Sequence, residues 1–115
     1  MRRTISLLVL FLAAFTAYGQ RSSLNIDKGN ARLTVDGRPY LILGGELGNS
    51  SASCPEDIET NMAKVARMGL NTILVPACWD LSEPKEDSFD FSLIDKVLEE
   101  ARRNDLKVVF LWFGA

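Results

Sequence analysis

Residues 55–78 read PEDIETNMAKVARMGLNTILVPAC, and they decide the fold. Pro55, Glu56 and Asp57 suit the first turn of a helix: proline has no amide hydrogen to waste there, and carboxylates oppose the positive helix end. Ser53 or Cys54 stands at the cap position. Ile58, Met62, Val65 and Ala66 recur at helical spacing, so one face is apolar. Gly69 ends the helix. The run from Leu70 to Ala77 is short, apolar and rich in branched residues, as in a strand buried on both faces. A helix followed closely by such a strand is half of a βαβ crossover.

The same grammar extends in both directions. Downstream, residues 79–90 read as a polar loop carrying Glu83-Pro84. Ser92 stands where it can cap a second helix. Leu93, Ile94, Val97, Leu98 and Ala101 form the buried stripe of that helix, with Glu99, Glu100, Arg102 and Arg103 turned to water. Asn104-Asp105 ends it, and Leu106 to Phe113 is a further apolar strand. Upstream, Tyr40 to Leu43 is an apolar strand ending in Gly44-Gly45-Glu46. Asp36-Gly37, lying between two strand-like runs, predicts a hairpin, because both residues tolerate positive φ. Residues 22–30 are a polar lead-in with one short strand near Leu24–Ile26. The order is hairpin, β, α, β, α, β, which implies parallel strands joined by helical crossovers.

Composition narrows the chemistry. The chain has 115 residues, 47% hydrophobic and 24% charged, with a formal charge of -2, two cysteines and no histidine. That apolar fraction excludes a disordered chain. The charge lacks the basic excess of a nucleic-acid binder. Without histidine there is no Ser-His-Asp triad, no Cys-His dyad and no histidine metal site, and no cofactor or metal is expected. Residues 1–19 read as a secretory signal peptide. Arg2 and Arg3 form the charged start, Ile5 to Ala17 the apolar stretch, and Ala17 and Gly19 the small residues before a cut. The apolar stretch is too short for a stable membrane anchor, so the expected location is periplasmic or extracellular. Residues 20–115 then form one unit. Three strands and two helices leave open sheet edges and are fewer than a flavodoxin-like domain, a Rossmann domain or a (β/α)8 barrel of ~250 residues requires, so the reading is the N-terminal piece of a longer α/β protein, with a complete small α/β domain that oligomerises as the alternative.

In such folds ligands bind at the carboxyl ends of the strands. Glu46 and Asn49 follow the first strand, Cys78, Trp79 and Asp80 the second, and Trp112 to Ala115 close the third. Carboxylates, an amide and tryptophans at one rim suit a sugar. Rings stack on pyranose faces, and carboxylate pairs perform glycoside hydrolysis. Glu46, Asn49 and Trp79 are the candidate substrate-binding residues. Cys54 and Cys78 fall in loops at the same rim. In an oxidising compartment they are a candidate disulfide, with buried free thiols as the alternative.

Residues 69–91, GLNTILVPACWDLSEPKEDSFDF, resemble a block of the β-galactosidases of glycoside hydrolase family 35. The match rests on Gly69-Leu70-Asn71, Val75-Pro76, Trp79, Glu83-Pro84 and Phe89-Asp90-Phe91. Leu33 to Pro39, LTVDGRP, is similar to the hairpin before the first barrel strand of that family. The departures are local. A His-Tyr pair of the family falls on Gly48-Asn49, Ala77 and Cys78 intrude between Pro76 and Trp79, and Trp112 and Phe113 replace an Arg and a Pro. The resemblance implies that this chain is the first three βα steps of a TIM (β/α)8 barrel, preceded by a β-hairpin and incomplete as it stands, in a divergent retaining β-galactosidase-like enzyme with two catalytic glutamates, after the fourth and seventh strands. Both would lie beyond Ala115, so no catalytic residue is assigned within this chain and the piece alone is expected to be inactive. A mannanase-like or cellulase-like barrel, or a non-catalytic carbohydrate-binding barrel, is the alternative.

Overall fold

A computed structural model describes residues 22–114. The expected signal peptide at 1–19 lies outside the described residues. The chain divides into two compact units, meeting in sequence between Leu41 and Ile42.

The first unit is a three-stranded antiparallel sheet of β1 (Ser22–Asp27), β2 (Asn30–Val35) and β3 (Arg38–Pro39). The Asp36-Gly37 turn forms as expected, with both residues at positive φ. The lead-in is more ordered than its sequence suggests. β1 pairs with β2 along its whole length, and Lys28-Gly29 is a second turn with positive φ at both positions. Lys-Gly is a weaker signal than Asp-Gly, because lysine lacks the short polar side chain that eases the left-handed region. Register separates the faces. Ser23, Asn25 and Thr34 share one side, where the Ser23 and Thr34 hydroxyls lie 2.7 Å apart and the Asn25 amide donates to Thr34 Oγ1 at 3.1 Å.

The second unit is a parallel sheet in the order β4 (Gly44–Glu46), β5 (Thr72–Cys78), β6 (Lys107–Phe113), with crossover helices α1 (Pro55–Arg67) and α3 (Ser92–Arg103) and one helical turn α2 (Trp79–Ser82). β5 is central. Ile73 and Val75 pack with Ile58, Met62 and Val65 of α1 and with Val97 and Ala101 of α3. Ile58, Met62, Ile73, Val75 and Val97 are almost wholly removed from water. Side chains alternate along a strand, so Leu74, Pro76 and Cys78 face the opposite side of the sheet, as do their β6 partners Val109, Leu111 and Phe113.

Both helices end alike. Leu70 N–H donates to Val65 O and Gly69 N–H to Ala66 O; Leu106 N–H donates to Ala101 O and Asp105 N–H to Arg102 O. These paired bonds form the Schellman motif, with a left-handed residue just past the helix: Gly69 at φ 78° and Asp105 at φ 52°. Asn71 then fixes the start of the sheet. Its Oδ1 accepts from Leu43 N–H and from the Thr72 hydroxyl, both at 2.9 Å, while its backbone bonds Leu43 O on one side and Lys107 N–H on the other.

Several expectations need correction. The Tyr40–Leu43 strand is displaced: the paired segment is Gly44–Glu46, and Leu41 to Leu43 are exposed. The strand runs through two glycines, and a Cβ on Gly45 would sit 2.9 Å from Leu70 Cδ1, in the turn just before β5. Ser92 is not a cap but the first residue of α3. The Asp90 carboxylate accepts its N–H at 2.9 Å and is lowered in pKa by that bond, since a charged acceptor suits the positive helix end better than a hydroxyl. Cys54 occupies the cap position of α1 without a side-chain cap bond. Residues 79–82, read as loop, make a helical turn closed by Glu83 N–H to Trp79 O at 2.7 Å. Glu100, expected in water, is buried and holds both Lys96 Nζ and Arg103 Nη1 at 2.8 Å.

Two outcomes follow. Asn71→Ala removes two side-chain bonds at the root of the sheet and is expected to cost about 1–2 kcal/mol in urea unfolding, with the far-UV spectrum retained. The Glu100 carboxyl is held below its usual range, first by the hydrogen bond from Lys96, against burial, and further by the Arg103 charge. A depressed folded pKa gives stability that is present above the unfolded value and lost as pH falls through the folded one. Glu100→Gln should therefore destabilise the fold at neutral pH, and the gap to the parent chain should close in acid below the usual glutamate range.

Candidate functional site

The carboxyl ends of β4, β5 and β6 form one rim of the parallel sheet. Glu46 ends β4 in register with Leu74, which is itself in register with Val109. That row lies on the face turned away from the helices, so the exposed Glu46 carboxylate stands where the sheet face meets its rim. No hydrogen bond or ion pair joins it to a described residue. Leu47, directly after it, turns inward, donates its N–H to Leu74 O at 3.0 Å and joins the core. The alternation Glu46 out, Leu47 in is what aims the carboxylate.

Asn49 is exposed in a tight turn closed by Ser51 N–H to Gly48 O at 2.8 Å. It lines a small crevice with Ser53, Cys78 and Ser82, so the structure brings the loop after β4 against the end of β5. Trp79 begins α2 and is 38% exposed. Its ring meets Trp112 edge-on at 5.6 Å and Phe89 edge-on at 6.2 Å, and Phe89 lies nearly parallel to Phe91 at 6.0 Å. Phe89 and Phe91 are half exposed and stack on each other. Glu83 does organise this loop: its carboxylate accepts Asp87 N–H at 2.8 Å, and Asp90 N–H reaches Ser82 O at 2.8 Å.

Cys54 and Cys78 both stand as half-buried free thiols. The Asp57 backbone N–H favours a Cys54 thiolate, but the Asp57 carboxylate, burial and Glu56 outweigh it and raise the thiol pKa. That is the opposite of what a nucleophile needs.

The family model for glycosyl hydrolases family 35 matches residues 32–111, most of the chain. The chain belongs to glycosyl hydrolases family 35. Among solved structures, the endo-1,4-β-mannanase of Rhizomucor miehei superimposes with a TM-score of 0.56 at 18% identity, over 81% of this chain and 29% of the mannanase. At that identity the likeness concerns the fold alone. The chain thus spans less than a third of the length of that enzyme. A search of curated proteins finds no match.

Membership of the family gives the rim its context. The block from Gly69 to Phe91 lies wholly inside the matched region. It contains Asn71, which roots the sheet, and the aromatic residues that stand at its far end. Sequence reasoning located Glu46, Asn49 and Trp79 at the rim but missed the continuity of Trp112, Trp79, Phe89 and Phe91. The available signal was the β5–β6 register, which sets Ala77 beside Trp112 and so brings the second tryptophan next to the loop.

Proposed function

We propose that this chain is the opening part of the barrel of an exported, retaining β-galactosidase-like glycoside hydrolase. The family-35 match over residues 32–111 carries that reading. The parallel order of β4, β5 and β6 supports it, because it is the order of consecutive barrel strands. Retaining hydrolysis uses two carboxyl groups on either side of the scissile bond, one as nucleophile and one as acid and then base. We place both on glutamates beyond Ala115, after the fourth and seventh strands. No metal is needed for this chemistry.

The chain itself supplies substrate contacts. Glu46 accepts hydrogen bonds from sugar hydroxyls; it is charged, exposed and not committed to another residue. Asn49 offers both a donor and an acceptor beside it in the loop. Trp79 gives an apolar ring on which a pyranose face can lie. Residues 1–19 direct export, and removal of that segment leaves a protein of the periplasm or the extracellular space.

The mannanase likeness favours one second reading, an enzyme acting inside a β-mannan-like chain rather than on a terminal galactose. The two are separated by assaying the protein that carries this segment together with the remaining barrel strands. Release of nitrophenol from an aryl β-galactoside is expected, and release from mannan alone would favour the second reading. Glu46→Gln should raise KM about tenfold with kcat little changed, since it removes a contact made equally in ground and transition states. Absence of hydrolysis on every β-glycoside tested would overturn the proposal.

A further inference from the structure

A single helical turn cannot hold itself, because nucleating a helix is costly. α2 spans only Trp79–Ser82 and has no side-chain cap bond at Cys78, so the pose of Trp79 depends on what closes the turn from outside. Two bonds at Ser82 help to close it. The Ser82 hydroxyl donates to Cys78 O at 3.3 Å, and the Ser82 carbonyl accepts Asp90 N–H at 2.8 Å. A third bond comes from Glu83, whose N–H donates to Trp79 O at 2.7 Å. Pro84 explains why the helix stops there. The residue before a proline is pushed out of the helical region, and Glu83 stands at φ -134° and ψ 71°.

The Glu83 side chain makes a further tie. Its carboxylate accepts Asp87 N–H at 2.8 Å across the loop. Asp87 lies in the left-handed region at φ 59°, where a residue with a side chain persists only if its surroundings hold it. Ser88 N–H donates to Lys85 O at 2.9 Å just beyond, and Phe89 then meets the Trp79 ring edge-on at 6.2 Å. The loop therefore leaves from Trp79 and returns to it. Glu83 acts on Trp79 twice: its backbone fixes the carbonyl, and its carboxylate, through Asp87, fixes the turn that sets Phe89 against the indole. Every hydrogen bond in this circuit lies within residues 78–90.

We infer that Glu83 is a positioning residue for Trp79, holding the indole in one pose by tying the tip of the β5–α3 loop. This rests on the reading of Trp79 as a substrate contact and on no other part of the proposed hydrolysis. A ring already held in place loses little freedom when a substrate meets it, so the Glu83 carboxylate acts on binding rather than on bond cleavage. A single N–H needs only one acceptor oxygen, and an amide carbonyl supplies one. Glutamine at this position therefore keeps the tie, and alanine breaks it.

The test uses the protein that carries this segment together with the remaining barrel strands. On an aryl β-galactoside, Glu83→Ala should raise KM about fivefold with kcat little changed, and Glu83→Gln should stay within about twofold of the parent. In a Trp79→Ala background the effect of Glu83→Ala on KM should vanish, because a residue that acts through another then has nothing left to place. The near-ultraviolet circular dichroism band that is lost in Trp79→Ala should weaken in Glu83→Ala and persist in Glu83→Gln, with the urea midpoint little moved. The inference is overturned if Glu83→Ala leaves KM unchanged, if Glu83→Gln is as impaired as Glu83→Ala, or if the Glu83 and Trp79 substitutions raise KM independently. It is equally overturned if Glu83→Ala lowers the urea midpoint but leaves the band intact, which would make Glu83 a residue of the fold alone. If no β-glycoside is cleaved, the glycosidase reading fails, and the band alone decides: a response to alanine but not to glutamine upholds the positioning role, and an unchanged band sinks it.

Discussion

Everything in the second unit depends on β5 being covered by two helices at once. Ile73 and Val75 are the β5 residues that share one core cluster with the apolar faces of α1 and α3, and they are among the most deeply buried side chains of the described residues. Burial of a side chain of this size is worth about 1.5–3 kcal/mol. Each helix carries the chain back to start the next strand in the same direction, so β4 and β6 must both run parallel to β5. That requirement puts the carboxyl ends of β4, β5 and β6 at a common rim, and the rim holds every residue with a claim to chemistry. Asn71 secures the opposite end, where one side chain and one backbone unit bond to both flanking strands.

Most of this was legible because burial writes a periodic pattern. The apolar spacing of Ile58, Met62 and Val65 and the continuous run from Thr72 to Ala77 gave helix and strand without ambiguity, and Asp36-Gly37 announced its turn. What escaped was set by partners distant in sequence. β1 is stabilised by cross-strand bonds to β2 rather than by its own composition, so Ser22–Asp27 looked like a lead-in. Gly44-Gly45 have poor strand propensity, and the neighbour that leaves no room for a Cβ at Gly45, Leu70, lies 25 residues away in sequence. Glu100 looked like a solvent residue by its type. It is buried because Lys96 and Arg103, one helical turn to either side, neutralise it.

The site divides in the same way. Positions at strand ends are fixed by topology, so Glu46, Asn49 and Trp79 could be placed at the rim from the order of elements alone. Their surroundings could not be placed. The stacking of Phe89 on Phe91 depends on the turn around Asp87, which holds positive φ and is clasped by Glu83. No periodicity marks such a loop.

The central claim is that β5 is the buried middle of a parallel sheet and sets the rim. Amide hydrogen exchange on the folded protein tests it most directly. The slowest exchange should fall on Thr72–Cys78 and on the α1 turns carrying Ile58 and Met62, with β1 and the loop at 83–91 exchanging far faster. Protection centred on the Ser22–Val35 hairpin, or β5 amides exchanging as fast as those of the loop, would contradict the account.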